Sequence, residues 1–119
     1  MSKPTVNIMP SDITEEVKIV LTKMQINSNG RGRSYLTAYQ ILEQLQLATR
    51  NKLINQRGKP GLGGGKYYGP TSVVSDAAEM LSDIVEIVFL DTSSLKVIWE
   101  DGTDITPSNK TMGLYRLKE

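Results

Sequence analysis

Ile13, Val17, Val20, Leu21 and Met24 recur at helical spacing and predict a first helix with one apolar stripe. Pro10-Ser11 opens it, with Ser11 as the expected N-cap and Asp12, Glu15 and Glu16 near the positive end of the helix dipole. Asn27-Ser28-Asn29-Gly30 closes it, and Arg31-Gly32-Arg33-Ser34 reads as a basic loop. Thr37 and Gln40 have the spacing of a capping box, followed by a second stripe of Ala38, Ile41, Leu42 and Leu45. A break at Gln46-Leu47-Ala48 leads to a third helix from about Thr49 to Arg57, stopped by Gly58. Residues 58–70, with six glycines and two prolines, are expected to be irregular. Thr71 or Ser72 then caps a fourth helix that buries Val74, Ala77, Ala78 and Leu81.

After residue 83 the period changes. Ile84 to Leu90 and Leu95 to Trp99 are β-branched runs separated by Asp91-Thr92-Ser93-Ser94, which predicts a hairpin. Asp101-Gly102 is a turn signal before a short strand near Thr103 to Thr106, and Met112 to Leu117 is the last strand. The expected fold is a single α+β domain spanning residues 1–119. It has about four helices, including a helix-turn-helix-like pair, followed by a three- to four-stranded antiparallel meander.

Composition narrows the chemistry. The 119 residues contain no Cys and no His, which removes disulfides, thiolate or imidazole zinc sites, imidazole general bases and Cys nucleophiles. No cofactor, no metal site and no catalytic residue is expected, and the chain reads as non-enzymatic. The N-terminus has no apolar run of signal-peptide length, and the most apolar stretch, Ile84 to Leu90, is interrupted by Glu86. The expectation is a cytoplasmic protein with no membrane association.

Charge is unevenly distributed although the net value is only +1. Residues 30–66 carry Arg31, Arg33, Arg50, Lys52, Arg57, Lys59 and Lys66 against Glu43 alone, a net +6, whereas residues 67–119 carry −5. Such asymmetry fits an anionic partner, self-association of unlike surfaces, or two segments that cancel within one fold.

Several motifs fail their own tests. Gly65-Lys66 resembles the end of a phosphate-binding loop, but Pro60 stands where its first Gly belongs and Tyr67 where Ser or Thr should hold magnesium. Ser93 and Lys96 match S-x-x-K across a predicted hairpin, where no helix aims the lysine. Asp91, Asp101 and Asp104 fall at turns, where Asp caps its own backbone.

The third helix is more suggestive. Asn51, Lys52, Asn55 and Gln56 share one arc opposite Leu53 and Ile54, and such side chains can read base edges in a major groove. With Arg31, Arg33, Arg50, Lys52, Arg57, Lys59 and Lys66 to neutralise phosphates, the segment is a candidate nucleic-acid surface, with Asn51 and Asn55 supplying any base reading. Tyr67-Tyr68 beside Lys66 adds stacking groups for single strands, or anchors the glycine loop to the core.

Leu36–Leu45, Asn51–Ile54, Gly63–Ala78 and Gly113–Arg116 together resemble small bacterial proteins of no known activity, some carried on mobile integron gene cassettes. The resemblance covers roughly residues 36–117 and implies an accessory bacterial gene product, with no catalytic residues to carry over. Nucleic-acid binding through residues 30–66 is the leading expectation. The alternative is a protein-interaction or homodimerisation module, in which unlike charges meet or a sheet edge pairs with another strand. A metabolite site under the glycine loop is the third.

Overall fold

A computed structural model describes residues 8–24, 32–57, 68–107 and 110–118. Along the chain come a 3-10 turn (Pro10–Asp12), α1 (Thr14–Thr22), β1 (Leu36–Thr37), α2 (Ala38–Gln44), α3 (Leu47–Arg57), α4 (Tyr68–Met80), β2 (Val85–Asp91) and β3 (Thr111–Leu117). The four helices and antiparallel strands make an α+β fold.

The helices follow their apolar stripes. Ile13, Val17, Val20 and Leu21 of the first stripe are buried, as are Ile41 and Leu42 of the second. The entry to α1 differs from expectation. Ser11 lies inside the 3-10 turn, and the Asp12 carboxylate accepts the Met9 N–H at 2.9 Å, so Asp12 caps this end. The Thr37–Gln40 capping box is present in full. Gln40 N donates to Thr37 Oγ1 at 3.1 Å, and Thr37 N donates to Gln40 Oε1 at 2.9 Å.

α4 is the hub, packing against α1, α2, α3 and the 3-10 turn. Ala77 and Ala78 are fully buried, and their small side chains let neighbouring helices approach closely. α4 begins at Tyr68 rather than at Thr71, so Gly69 and Pro70 belong to its first turn; residues 58–67 of the expected loop lie outside the described residues. Proline fits there because the first turn of a helix leaves its N–H groups unpaired in any case.

The sheet is not a meander. Its order is β1-β3-β2, and β2 pairs along seven residues with β3, not with residues 95–99. β1 precedes α2 in the chain and pairs through Leu36 with Tyr115. Residues 95–106 form a separate narrow loop of their own, in which Ile98 bridges Asp104 and Trp99 N donates to Thr103 O at 2.8 Å. The Asp101-Gly102 turn is as expected, and Gly102 has φ +87°, a left-handed conformation that favours glycine.

Alternation gives the sheet two unlike faces. Val85, Ile87 and Phe89 share one face with Gly113, Tyr115 and Leu117, and Tyr115 reaches α4 through Ser75. Glu86, Val88 and Leu90 share the other with Arg116, Leu114 and Met112. Residues 97–106 close over one end of that second face, burying Met112, Trp99 and Ile105.

Candidate interaction surface

The structure gives the proposed cations different surroundings. Arg50 forms an ion pair with Glu100 and lies over Trp99, 5.7 Å from the ring centroid. Basic and acidic segments of the sequence therefore answer each other at this point. Arg57 donates to Ile8 O at 3.2 Å and Arg33 to Met24 O at 2.9 Å. Three of the expected phosphate-binding guanidiniums thus hold main-chain carbonyls or a carboxylate of the same molecule. Arg31, Lys59 and Lys66 lie outside the described residues.

On α3, Asn51, Lys52 and Asn55 are exposed side by side, while Leu53 is fully buried beneath them. Gln56, assigned to the same arc, turns inward and accepts the Ile8 N–H at 2.8 Å. Lys52 shares a shallow hollow with Asp12 and Glu16, so its nearest surroundings include two carboxylates.

A different surface, which composition and charge did not reveal, stands out on the sheet. Thr92 N donates to Lys110 O and Lys118 N to Ile84 O, both at 2.8 Å. Hydrogen-bonded pairs in an antiparallel ladder alternate, so the even-numbered residues of β2 direct their main-chain groups at β3. Val85, Ile87, Phe89 and Asp91 therefore direct theirs outward, along an edge that no described strand covers. Among the described residues nothing hydrogen-bonds the main chain of Ile87 or Phe89 at this edge.

Five of the seven side chains of β2 are apolar, Glu86 and Asp91 being the exceptions. Phe89 is 71% exposed; Val88, Leu90, Leu95 and Ile98 are exposed as well, Val88 and Leu90 on the opposite face of the sheet. Phe89 has Gly113 as its cross-strand partner, so no β3 side chain of its own row covers it. Leu90 and Ile98 also border a cleft of about 360 Å³ that runs between α2 and residues 97–106, with Trp99, Tyr39 and Ile105 in its walls. Glu43 and Glu100 line its polar part.

The opposite end of the same face is polar. Arg116 Nε donates to Glu86 Oε2 at 2.7 Å, and its guanidinium sits 4.3 Å from the Tyr35 ring centroid. The hydrogen bond from Arg116 holds the Glu86 carboxyl below its ordinary range, while desolvation pushes the Tyr35 phenol up. Glu86 is thereby drawn onto the sheet face.

A smaller cleft of about 210 Å³ lies between α4 and β3, lined by Thr71, Ser72, Ser75, Asp76 and Gly113. Asp91 and Asp104 serve their own turns, as expected. They accept the main-chain N–H of Ser93 at 2.8 Å and of Thr106 at 2.9 Å; the Ser93 hydroxyl and then its N–H lower the Asp91 carboxyl, and the Thr106 N–H and then its hydroxyl lower that of Asp104. Among the described residues there is no cluster of acidic side chains that could hold a metal ion, and no helix is long and apolar enough to cross a membrane.

No family model matches the chain, and neither a curated protein nor a solved structure matches it. The surface itself carries the functional argument.

Proposed function

We propose that this chain is a non-enzymatic protein-interaction module that works through the outer edge of β2 and the apolar surface beside it. One observation carries the reading. A seven-residue strand, regularly paired on one side, has no partner among the described residues for the outward main-chain groups of Ile87 and Phe89, next to a largely exposed phenylalanine. Edge strands of monomeric proteins are usually shielded by proline, lysine, a bulge or a covering element, because a bare edge pairs with other chains. β2 contains neither proline nor lysine, and its register with β3 runs without a bulge. Its one central charge, Glu86, is engaged by Arg116. The absence of His and Cys from the sequence supports the non-enzymatic part of the proposal.

A photo-crosslinking side chain placed at position 89 tests this in bacterial cells. Covalent adducts with protein are expected from position 89, and a crosslinker at Asn55 serves as the comparison. Adducts only from position 55 would refute the assignment of the β2 edge.

A second reading has its own support in the exposed row of Asn51, Lys52 and Asn55 on α3. As a nucleic-acid surface, that row would act with Arg31, Lys59 and Lys66. Its test is fluorescence anisotropy with labelled duplex and single-stranded nucleic acid across salt concentrations. Engagement of about four phosphates gives a log K against log salt slope near −3 to −4, and a Lys52→Ala variant lowers that slope by about 1. Binding that is absent at low salt would remove this reading.

A further inference from the structure

The geometry of the open edge points to a second copy of this chain as its occupant. We infer a two-fold symmetric dimer in which β2 pairs antiparallel with the β2 of its partner, in the register that centres on Val88. This inference rests on the reading of the β2 edge as an interaction surface and adds the identity of the partner.

The register follows from which residues face outward. Val85, Ile87, Phe89 and Asp91 offer their main-chain groups to the edge. Antiparallel hydrogen-bonded pairs must match outward-facing residues with outward-facing residues. Centring on Val88 uses all four, since it opposes Ile87 to Phe89 and Val85 to Asp91 in both directions. About six main-chain hydrogen bonds result, because the Val85 N–H is already taken by Leu81 O. Shifting the centre to Ile87 sets Asp91 opposite Asp83 of the second copy, with like charges facing across the junction. Shifting it to Phe89 sets Val85 opposite Ser93, beyond the end of β2, so only three of the four outward-facing residues find a partner within the strand.

Side chains agree with the same register. A two-fold axis perpendicular to the sheet keeps equivalent faces together. Phe89, flanked in its own sheet by Gly113, gains Ile87 of the second copy as its other neighbour. Val88 meets its symmetry mate on the opposite face. Leu90 lies against the aliphatic stem of Glu86, whose carboxylate stays with Arg116. The well-covered end of β2, where Val85 is buried, meets the end where Phe89 is bare. Three strands from each copy then form one continuous sheet in which both β2 edges are gone. The contact is isologous and closes on itself, so it yields a dimer and not a fibre.

The cysteine-free sequence allows a clean test of both the dimer and its register. In this register the two Val88 residues form a non-hydrogen-bonded pair with Cα atoms about 4.5 Å apart, within the span a disulfide bridges. Val88→Cys is expected to oxidise rapidly to a covalent dimer, and Ile87→Cys and Phe89→Cys to crosslink at least about tenfold more slowly. The unmodified chain should sediment at twice its 13.2 kDa mass, and Phe89→Lys should weaken the dimer by about tenfold or more. Preferential crosslinking at 87 or 89 would overturn the register. A monomer at high concentration, with Val88→Cys unlinked, would overturn the second copy as partner. In that case protein adducts from a crosslinker at position 89 would still uphold the interaction surface, and their absence would remove both.

Discussion

The Tyr115 hydroxyl donates to Ser75 Oγ at 3.0 Å, and it reaches α4 by laying its ring over Gly113. A Cβ at position 113 would stand 2.5 Å from the Tyr115 oxygen and 2.9 Å from the ring carbon that bears it. The residue without a side chain is what lets the tyrosine tie the middle strand of the sheet to the central helix. Gly113→Ala is expected to cost about 1–3 kcal/mol by denaturant unfolding, the usual range for overpacking. Tyr115→Phe should cost about 0.5–1.5 kcal/mol, the net worth of one hydrogen bond. In a Tyr115→Leu background the alanine should cost much less, since the obstructing ring has gone.

Stability should fall at both ends of the pH scale for reasons located in the sheet. Hydrogen bonding to Arg116 depresses the Glu86 carboxyl, so its contribution is present above the ordinary glutamate value of 4.5 and is lost as pH falls through the lowered one. Burial raises the Tyr115 phenol, partly offset by the bond to Ser75. Its contribution is present below the ordinary value of 10.0 and is lost as pH rises through the raised one. Thermal unfolding followed from pH 3 to 11 checks both arms. Glu86→Gln should reduce the acid arm, leaving the contributions of Asp91 and Asp104, and Tyr115→Phe should reduce the alkaline arm, leaving that of Tyr35.

Gly69 is constrained by the main chain. A Cβ there would lie 2.5 Å from the Arg57 carbonyl oxygen, at the point where α4 passes the end of α3. Alanine is the better helix former by about 1 kcal/mol, yet Gly69→Ala should destabilise the fold by about 2 kcal/mol or more. A rise in melting temperature for this variant would contradict the close approach.

That position also marks where the sequence stops being readable. The periods of Ile13–Met24, Ala38–Leu45 and Val74–Leu81 were sufficient to place helices, because burial on one face is a local pattern. Gly69-Pro70 read as a chain break, although the first turn of a helix tolerates proline and the packing on Arg57 favours glycine. The strand runs were legible as strands, but their pairing was not. Ile84–Leu90 has an alternating run close by at residues 95–99 and another beyond residue 110, and only tertiary packing selects the distant one. Within the basic segment, the charge of Arg50 was visible but its partners Trp99 and Glu100 lie about fifty residues on. The exposed Phe89 shares its face with buried Val85, so alternation gives no sign of its exposure.

Thr92 offers a gain in stability. It is 2% exposed, and its hydroxyl has no hydrogen-bond partner among the described residues. Valine keeps the branched shape and removes the desolvated hydroxyl, so Thr92→Val should raise stability by about 1 kcal/mol. A loss of stability on chemical denaturation would show that the hydroxyl is bonded in solution.

Amide hydrogen exchange along β2, resolved residue by residue at millimolar protein concentration, addresses the paired edge most directly. Val88 and Leu90 direct their N–H groups at β3 and should be protected whatever covers the edge. With a second copy in place, Ile87 and Phe89 should be protected to a similar degree, giving a uniform profile that becomes alternating in Phe89→Lys. A profile in which the unmodified chain already alternates, with Ile87 and Phe89 exchanging far faster than their neighbours, would mean that the edge stands open and that β2 does not pair with a second copy.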